Sequence, residues 1–554
     1  MTDSRAASVA SAPPERSPWP ALWALVIGFF MILVDTTIVS VANPAIKAAL
    51  DPNTNNLDNV VWVTSAYLLT YAVPLLITGR LGDRFGPKNI YLTGLAIFTI
   101  ASLACGLATS LEMLIVARAV QGLGAALMTP QTMAVITRTF PAQRRGAAMG
   151  LWGATAGVAT LVGPLAGGLL VDGLGWEWIF FINIPVGVIG FIAALVLVPQ
   201  LPKTAHKFDI LGVVLSAVGL FLIVFGLQEG EHYSWAAWIW AMVAAGVVVM
   251  GVFIWTQARS KGEPLVPLDL FRERNFSVAN LAIATVGFTV TSMALPQMFY
   301  LQLARGLTPT ESALLLIPLA ILSGVLAPFA GKLLDRTDPR FLLVPGLLLV
   351  GGSLALYAAL IFGDAPIWAF LIPSALMGVG NAGMWGPLAT TATRNLPPRQ
   401  AGAGAGIYNT TRTVGSVIGS ASIAAFMQAR LEANLPGAGD AGTSFGGGVL
   451  PPQIVEGFST AMGQSLLLPI GVIVLGLVAV LFMRRPSVIR AHGTPLDAAP
   501  AQASAAPAGQ GSAPAAPAGQ GSAPAAPAGQ GSAPAPTSPA RTAPAAAGTA
   551  PSGE

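Results

Sequence analysis

The ionisable side chains that could do chemistry in this sequence stand inside long apolar stretches. Asp35 lies in the run Leu33–Val39, and Arg118 begins the run Arg118–Ala126. A carboxyl group in an apolar surrounding favours its protonated form, so Asp35 is a candidate for binding and releasing a proton. A buried guanidinium needs an acceptor, and the small residues after Arg118 let a neighbouring helix provide one. Both are therefore candidates for proton coupling; a static ion pair or a helix–helix hydrogen bond is the structural alternative.

Two further charges lie in or near such stretches. Arg412 lies within Asn409–Gly415, where the same argument makes it a proton-coupling candidate. Glu112 stands near the outer end of the run that contains Arg118, so it is either a second acid site or an interfacial side chain. We favour the interfacial interpretation of Glu112.

The sequence lacks the patterns of covalent, metal or nucleotide chemistry. Its three histidines, His206, His232 and His492, fall in loops or in the C-terminal segment, and neither a Cys/His metal spacing nor a Walker loop is present. The single cysteine, Cys105, excludes an intrachain disulfide. We therefore expect no enzyme, no cofactor, no metal and no ATP hydrolysis, which leaves a proton gradient as the energy source.

A charged turn occurs twice. The turn Gly79–Lys88 has a degenerate copy, Gly331–Arg340, 252 residues further along the chain. This distance is too long for a solenoid repeat and suits a duplicated half-protein. The candidate functional residues of the turn are Gly79, Arg80, Gly82, Asp83, Arg84, Gly86 and Lys88 in the first copy, with Asp335 and Arg336 in the second.

The elements that must position these residues are membrane helices. With 54% hydrophobic and 9% charged residues, the 554-residue chain is too apolar for an ordinary soluble protein. Fourteen apolar runs of about 20 residues fit helices that cross a bilayer. They are numbered here as spans 1 to 14 and cover approximately 21–41, 58–78, 89–110, 112–138, 144–170, 176–200, 209–228, 234–256, 276–301, 309–331, 341–361, 366–391, 401–427 and 460–483. The expected fold is an all-α polytopic membrane protein.

Basic residues predict how these spans are oriented. Of the 28 lysines and arginines, only Lys47, Arg305 and Arg430 fall in the loops of one side, while the termini and the loops of the other side hold nearly all the rest. Because bases favour the cytoplasmic side, we expect both termini to be cytoplasmic. This topology explains the net charge of +4 without nucleic-acid binding.

The repeated turn predicts the organisation of the chain. Its first copy joins spans 2 and 3 and its second joins spans 10 and 11, an offset of eight helices. Duplicated six-helix halves would give an offset of six, so spans 7 and 8 are an insertion in a 6+2+6 arrangement. The predicted regions are a cytoplasmic N-terminal segment 1–20, a first half 21–200, inserted helices 201–260, a second half 261–485 and a disordered Ala/Pro/Gly-rich cytoplasmic tail 486–554.

Small residues in span 5 and polar residues elsewhere complete the candidate set. The span-5 residues predict a pivot against the other half, with ordinary tight packing as the alternative; they are Gly157, Gly163, Pro164, Gly167 and Gly168. Candidates for a cavity that binds an amphipathic ligand are Tyr67, Tyr71, Gln121, Gln297, Tyr300, Asn381, Trp385 and Asn409.

Several of these stretches resemble signatures of the major facilitator superfamily, in its fourteen-spanner drug:proton antiporter branch. The motifs are Gly79–Lys88, Arg118–Ala126, Gly157–Gly168, Asp35–Val39 and Trp176–Pro185. They occur in the order that this branch has, within residues 20–485. The resemblance implies alternating access between two six-helix halves, with proton-linked roles for Asp35 and Arg118.

The resemblance also implies a role for the charged turn. Asp83 would stabilise the outward-facing state through the N-terminal dipole of span 11, supported by its basic neighbours. The second copy has Leu334 and Thr337 where the first has Gly82 and Phe85. The resemblance therefore supports a gating role for the second copy less securely than for the first.

Together these observations predict a bacterial exporter in the cytoplasmic membrane. Its expected substrates are small amphipathic drugs or antibiotics, cationic or zwitterionic, exchanged for protons, with no obligatory protein partner. One alternative is a dedicated exporter of a single endogenous metabolite, lipid or siderophore. Another is a non-transporting membrane scaffold whose Pro/Ala-rich tail recruits partners.

Overall fold

Long helices form almost all of the described structure, which covers residues 17–50, 58–141, 144–203, 209–230, 232–260, 262–435, 450 and 452–484 of a computed structural model. Among the described residues, thirteen helices are long and apolar enough to cross a membrane, and counting one bent helix pair as a single span gives fourteen. The described residues contain no strand. The expected all-helical membrane fold is confirmed.

Nine spans have an unbroken α-helix. They are span 1 Trp19–Leu50, span 3 Pro87–Gly106, span 4 Leu111–Thr139, span 5 Arg145–Leu174, span 7 Ile210–Glu229, span 8 Ala237–Arg259, span 9 Arg274–Phe299, span 11 Arg340–Phe362 and span 13 Ala401–Asn434. A π-helical turn, Tyr300–Ala304, extends span 9. Spans 1 and 13 thus continue several residues beyond their predicted apolar runs.

Five spans consist of two helical pieces. They are span 2 Asp58–Ala72 and Leu75–Phe85, span 6 Trp178–Phe181 and Asn183–Leu197, span 10 Pro309–Leu314 and Ile317–Leu334, span 12 Ile367–Phe370 and Leu371–Thr393, and span 14 Pro452–Ser465 and Leu467–Leu481. Pro74 directly precedes the second piece of span 2, which is bent by 47° from the first. Proline lacks a backbone donor and clashes with the preceding turn, so the helix restarts there.

Two close crossings join the first six spans to the last six. Spans 5 and 10 meet at Gly146 and Gly331, where a Cβ added to either glycine would overlap the carbonyl oxygen of the other. Spans 2 and 13 meet in the same way at Gly79 and Gly402. Both crossings lie at the end of the bundle that carries the loops between spans 2–3, 4–5, 10–11 and 12–13. We call it the basic end.

Spans 7 and 8 pair with each other, and span 7 packs against spans 2 and 13. Polar bonds tie their ends together. Asp209 accepts a hydrogen bond from the Gly212 amide at 2.8 Å and another from Gln257 Nε2 at 2.7 Å. Gln257 Oε1 accepts from the Val266 amide at 3.0 Å. The segment after span 8 is thereby held against the start of span 7.

The predicted regions of the chain are covered unequally. The N-terminal segment 1–20 is described from residue 17 onward, and the predicted tail 486–554 lies outside the described residues. The division into 6+2+6 spans stays a prediction.

Candidate functional site

Asp35 and Arg118 form an ion pair without solvent exposure. Arg118 Nη1 lies 2.6 Å from Asp35 Oδ2. The same nitrogen donates to Gln121 Oε1 at 2.7 Å, and Nε donates to the carbonyl oxygen of Val63 at 3.1 Å. The ring of Tyr67 lies 4.1 Å from Arg118 Cζ, close enough for a cation–π contact. Nη1, Nε and one face of this guanidinium are therefore bound by neighbouring groups.

Two side-chain amides bind the other oxygen of Asp35. Gln121 Nε2 donates to Asp35 Oδ1 at 2.9 Å, and Asn183 Nδ2 donates to it at 3.1 Å. Both amides also donate to Ser102 Oγ, at 3.3 and 3.0 Å. Protonation of Asp35 would weaken its bonds to all three donors, because a neutral carboxyl group is a poorer acceptor. Protonation of Asp35 would therefore weaken its ion pair with Arg118.

Five of the first six spans position this cluster, and span 2 contributes Val63 and Tyr67, which contact Arg118. Arg118 and Gln121 are three residues apart on span 4 and share one helix face. Asp35 comes from span 1, Ser102 from span 3 and Asn183 from the start of the second piece of span 6. Asn183 was absent from the sequence-based candidates. A signal for it existed, because it is the only amide in the apolar stretch Trp176–Pro185.

Asp83 binds the N-terminus of span 13 at the basic end. Its Oδ1 accepts from the Gly402 amide and its Oδ2 from the Ala403 amide, both at 3.0 Å. Arg138, in the last turn of span 4, forms an ion pair with Asp83, which is fully buried. A carboxylate at a helix N-terminus meets unpaired amide donors and the positive end of the helix dipole. We call this group the first clamp.

The basic neighbours of Asp83 bind carbonyl oxygens. Arg80 donates to Pro264 at 2.6 Å and to Leu265 at 3.1 Å, in the segment after span 8. Lys88 donates to Leu195 at 2.6 Å, near the end of span 6. These bonds attach the turn to the segment after span 8 and to span 6.

The glycines of the turn permit its backbone conformation and its close packing. Gly86 has φ of +93°, a conformation that suits glycine, and it ends span 2 before Pro87 starts span 3. Gly82 lies against the side-chain amide of Gln131, where a Cβ would overlap it. Arg84 packs over the ring of Phe85 at 5.3 Å.

Asp335 forms the reciprocal contact. Its carboxylate accepts from the Gly146 amide at 2.8 Å and from the Ala147 amide at 3.3 Å, at the N-terminus of span 5. Burial raises the pKa of Asp335, while the two amides and the charge of Arg394 oppose that shift. Arg336, its neighbour in the turn, is exposed. We call the Asp335 contact the second clamp.

The partner helix expected for Asp83 was wrong. Asp83 meets span 13, not span 11, because the amides that reach its carboxylate are those of Gly402 and Ala403 at the start of span 13. The second clamp also keeps the contact between carboxylate and helix N-terminus despite Leu334, which is buried where the first copy has Gly82. Leu334 and Thr337 therefore leave the docking carboxylate in place.

The span-5 residues face different neighbours. A Cβ at Gly157 would contact Ser323 of span 10, whereas one at Gly163 would overlap Thr37 of span 1. Gly167 is buried, and a Cβ at Gly168 would meet nothing within 4 Å. Pro164 lies inside the helix. Of the two glycines with described neighbours, only Gly157 abuts a span of the other half, so the pivot role stays a prediction.

A cavity of about 320 Å³ lies between the two halves. Thr36 and Tyr71 line it from spans 1 and 2, and Trp385 and Arg412 line it from spans 12 and 13. Gln228 of span 7 also contributes. Thr36 directly follows Asp35, so the cavity adjoins the buried ion pair.

Of the eight predicted cavity residues, Tyr71 and Trp385 line this space and six do not. Tyr67 packs on Arg118, and Gln121 is bound to Asp35 and Arg118. Asn409 donates back to the carbonyl oxygen of Ala405 on its own helix. The remaining three are buried outside the lining and are Gln297, Tyr300 and Asn381. Their polarity did not reveal which helix face they occupy.

Glu112 and Arg412 lie away from the Asp35 cluster. Glu112 is exposed in the first turn of span 4, as the interfacial interpretation expects. Arg412 is half-buried, and its Nη2 donates to the Tyr71 hydroxyl at 3.2 Å. It forms no ion pair with any residue that the structure describes.

The family follows from this fold and from sequence comparison. The family model described as Major Facilitator Superfamily matches residues 25–420. The chain belongs to this superfamily of membrane transporters. The solved structure of the human organic anion transporter MFSD10 (TETRAN) superposes with a TM-score of 0.55 at 13% identity, covering 83% of this chain and 100% of that one. At this identity the likeness concerns the fold alone.

Curated relatives include transporters that are named for resistance or export. An uncharacterised MFS-type transporter of Mycobacterium tuberculosis is 53% identical over 84% of this chain and 81% of its own length. The tetracenomycin C resistance and export protein of Streptomyces glaucescens is 35% identical over 76% of this chain and 80% of its own. The putative multidrug resistance protein MdtD of Escherichia coli is 35% identical over 71% and 82%.

Proposed function

We propose that this chain is a proton-coupled antiporter that exports small amphipathic molecules by alternating access. Its membrane is the cytoplasmic membrane of a bacterium, with both termini and the basic end facing the cytoplasm. The relatives in resistance and export support the direction of transport. The 6+2+6 organisation is part of the proposal, and the reciprocal clamps eight spans apart support it.

One observation carries the proton-coupling part: Asp35 is fully buried, ionically paired with Arg118 and adjacent to the cavity. An incoming proton on Asp35 releases Arg118 from its strongest partner, and deprotonation recaptures it. Thr36 transmits the change to the cavity because it is the next residue on the same helix. No cofactor takes part in this cycle.

The clamps supply the gating part of the proposal. With both carboxylates docked, the halves are joined at the basic end, as required of an outward-facing state. Release of Asp83 from span 13 and of Asp335 from span 5 allows the halves to rock apart there. Gly157, at the contact with span 10, remains the pivot candidate.

The test is proton-driven transport in inverted membrane vesicles of the expressing strain. We expect Asp35→Asn to abolish uptake driven by a pH gradient, because the amide cannot take up the proton. Asp364→Asn is the matched control, since Asp364 is 93% exposed in its side chain. Unchanged uptake with Asp35→Asn at normal protein levels would rule out Asp35 as the proton site.

A dedicated exporter of one compound is the second candidate. The export relative named for a single compound, tetracenomycin C, favours it. A panel of chemically unrelated substrates in the same vesicles separates the candidates, because a dedicated exporter transports one member and a multidrug exporter several.

A further inference from the structure

The cavity between the halves carries one charge, and it is positive. Arg412 is the only ionisable side chain with a permanent charge that lines it, and no carboxylate of a described residue does. Asp35 is fully buried in its bond to Arg118 and does not line the cavity, and Glu229, next to the lining residue Gln228, is also buried outside the lining. A cationic substrate would therefore find no counter-charge here.

Arg412 differs in its partners from the two arginines that pair with buried carboxylates. Arg118 is paired with Asp35, and Arg138 with Asp83. Arg412 has one neutral partner, the Tyr71 hydroxyl, which itself donates to Thr129 Oγ1 at 3.4 Å. Removing a guanidinium from water is costly unless acceptors replace the lost hydration. Most of its donors remain available to a molecule in the cavity.

The rest of the lining suits the body of an aromatic molecule. Trp385 and Tyr71 offer ring surfaces, while Leu33, Leu68 and Val290 provide apolar walls. Such rings could also attract a cation through their faces, but the charge of Arg412 in the same small space opposes that mode. A volume of about 320 Å³ is near the lower end for small-molecule pockets and limits the ligand to a compact molecule.

We propose that the cavity selects amphipathic organic monoanions, whose carboxylate or phenolate binds Arg412 while an aromatic body packs on Trp385. This inference rests on the proposed function, because it takes the cavity to be the substrate site. It replaces the sequence-based expectation of cationic substrates. Since Tyr71 and Arg412 belong to opposite halves, the anion competes with a bond that joins the halves.

The first experiment measures binding to the purified full-length protein in phosphatidylcholine nanodiscs by equilibrium dialysis. Its probes share one ring system and differ in charge: naphthylacetate, naphthylacetamide and naphthylethylamine. We expect naphthylacetate to bind tightest. Arg412→Gln should weaken it roughly tenfold and leave naphthylacetamide nearly unchanged, since the lost contact is a charge-assisted hydrogen bond. Arg412→Lys should retain most of the affinity, and Arg399→Gln, at an exposed site, all of it.

The outcomes separate this inference from the proposed function. Tighter binding and export of naphthylethylamine, with no effect of Arg412→Gln, would overturn the anion preference and leave proton-coupled export intact. Saturable naphthylacetate binding that depends on Arg412, with no pH-driven transport of it in vesicles, would support the site and contradict the transport function. Loss of naphthylacetate binding when phosphatidylglycerol replaces phosphatidylcholine would show that the site takes a lipid headgroup, and the free acid would be the wrong ligand.

Discussion

The two clamps perform the same docking with different support. In each, a turn from one half places an aspartate on the first amides of a helix in the other half. Asp83 is fully buried and paired with Arg138, whereas Asp335 is partly exposed and has no ion pair with a described residue. The contact itself needs only a carboxylate and a helix N-terminus. Its strength depends on the surrounding charges and burial.

This difference in burial and ion pairing predicts that the two clamps contribute unequally. The first clamp also connects to the segment after span 8 through Arg80, while the second faces a water-accessible depression of about 770 Å³ lined by Arg144, Lys332 and Arg336. We expect the first clamp to hold the halves together and the second to add a smaller, solvent-sensitive contribution.

The largest predicted effect is that of Asp83→Asn. Loss of the carboxylate leaves Arg138 buried without its partner, which destabilises the closed basic end by about 3 kcal/mol. The ratio of closed to open basic end should fall roughly 100-fold. The measurement is the distance between spin labels on Phe85→Cys and Leu333→Cys, which are both exposed sites. Cys105 is buried and stays unlabelled.

Asp335→Asn should have a smaller effect in the same assay. The substitution weakens two hydrogen bonds at a partly exposed site and leaves no buried cation without its partner. We therefore expect the closed basic end to lose about 1 kcal/mol, which lowers the ratio of closed to open basic end roughly fivefold. Equal distance distributions for Asp83→Asn and Asp335→Asn would show that burial and Arg138 do not distinguish the clamps.

Arg80→Ala tests the connection that only the first clamp has. Without its bonds to the carbonyls of Pro264 and Leu265, amide hydrogen exchange in the segment 262–268 should rise roughly fivefold. Lys332→Ala is the corresponding change in the second copy and should leave this segment unchanged, because Lys332 is exposed. A similar response to both changes would contradict a specific link.

Sequence reasoning reached the fold and the principal charges because both have strong physical signals. Runs of apolar residues require membrane helices, and a carboxylate such as Asp35 inside one requires a partner. It failed for side chains whose role depends on helix rotation. Gln121 and Asn409 are polar residues on membrane helices, but one faces Asp35 and the other bonds to its own backbone. Asn183 was missed because an amide carries no charge to draw attention.

The position of the cavity shows the same limit. Arg412 was expected to act like Arg118, since both are arginines within spans. Their difference lies in the neighbours that tertiary packing supplies: a carboxylate for Arg118 and a hydroxyl beside an open space for Arg412. Only the assembled bundle distinguishes an arginine in a buried ion pair from one that can receive a ligand.

The reciprocal docking of the clamps has an evolutionary consequence. The turn of the first half contacts a helix of the second half, and the turn of the second half contacts the equivalent helix of the first. This is the pattern of a self-complementary interface in a two-fold dimer. In a dimer of identical halves, one substitution alters both contacts at once. In a fused chain the two copies mutate independently. Asp83 can therefore keep its buried partner Arg138, while Asp335 acquires Leu334 as a neighbour and a more exposed environment. Fusion thereby permits an asymmetric gate from a symmetric plan.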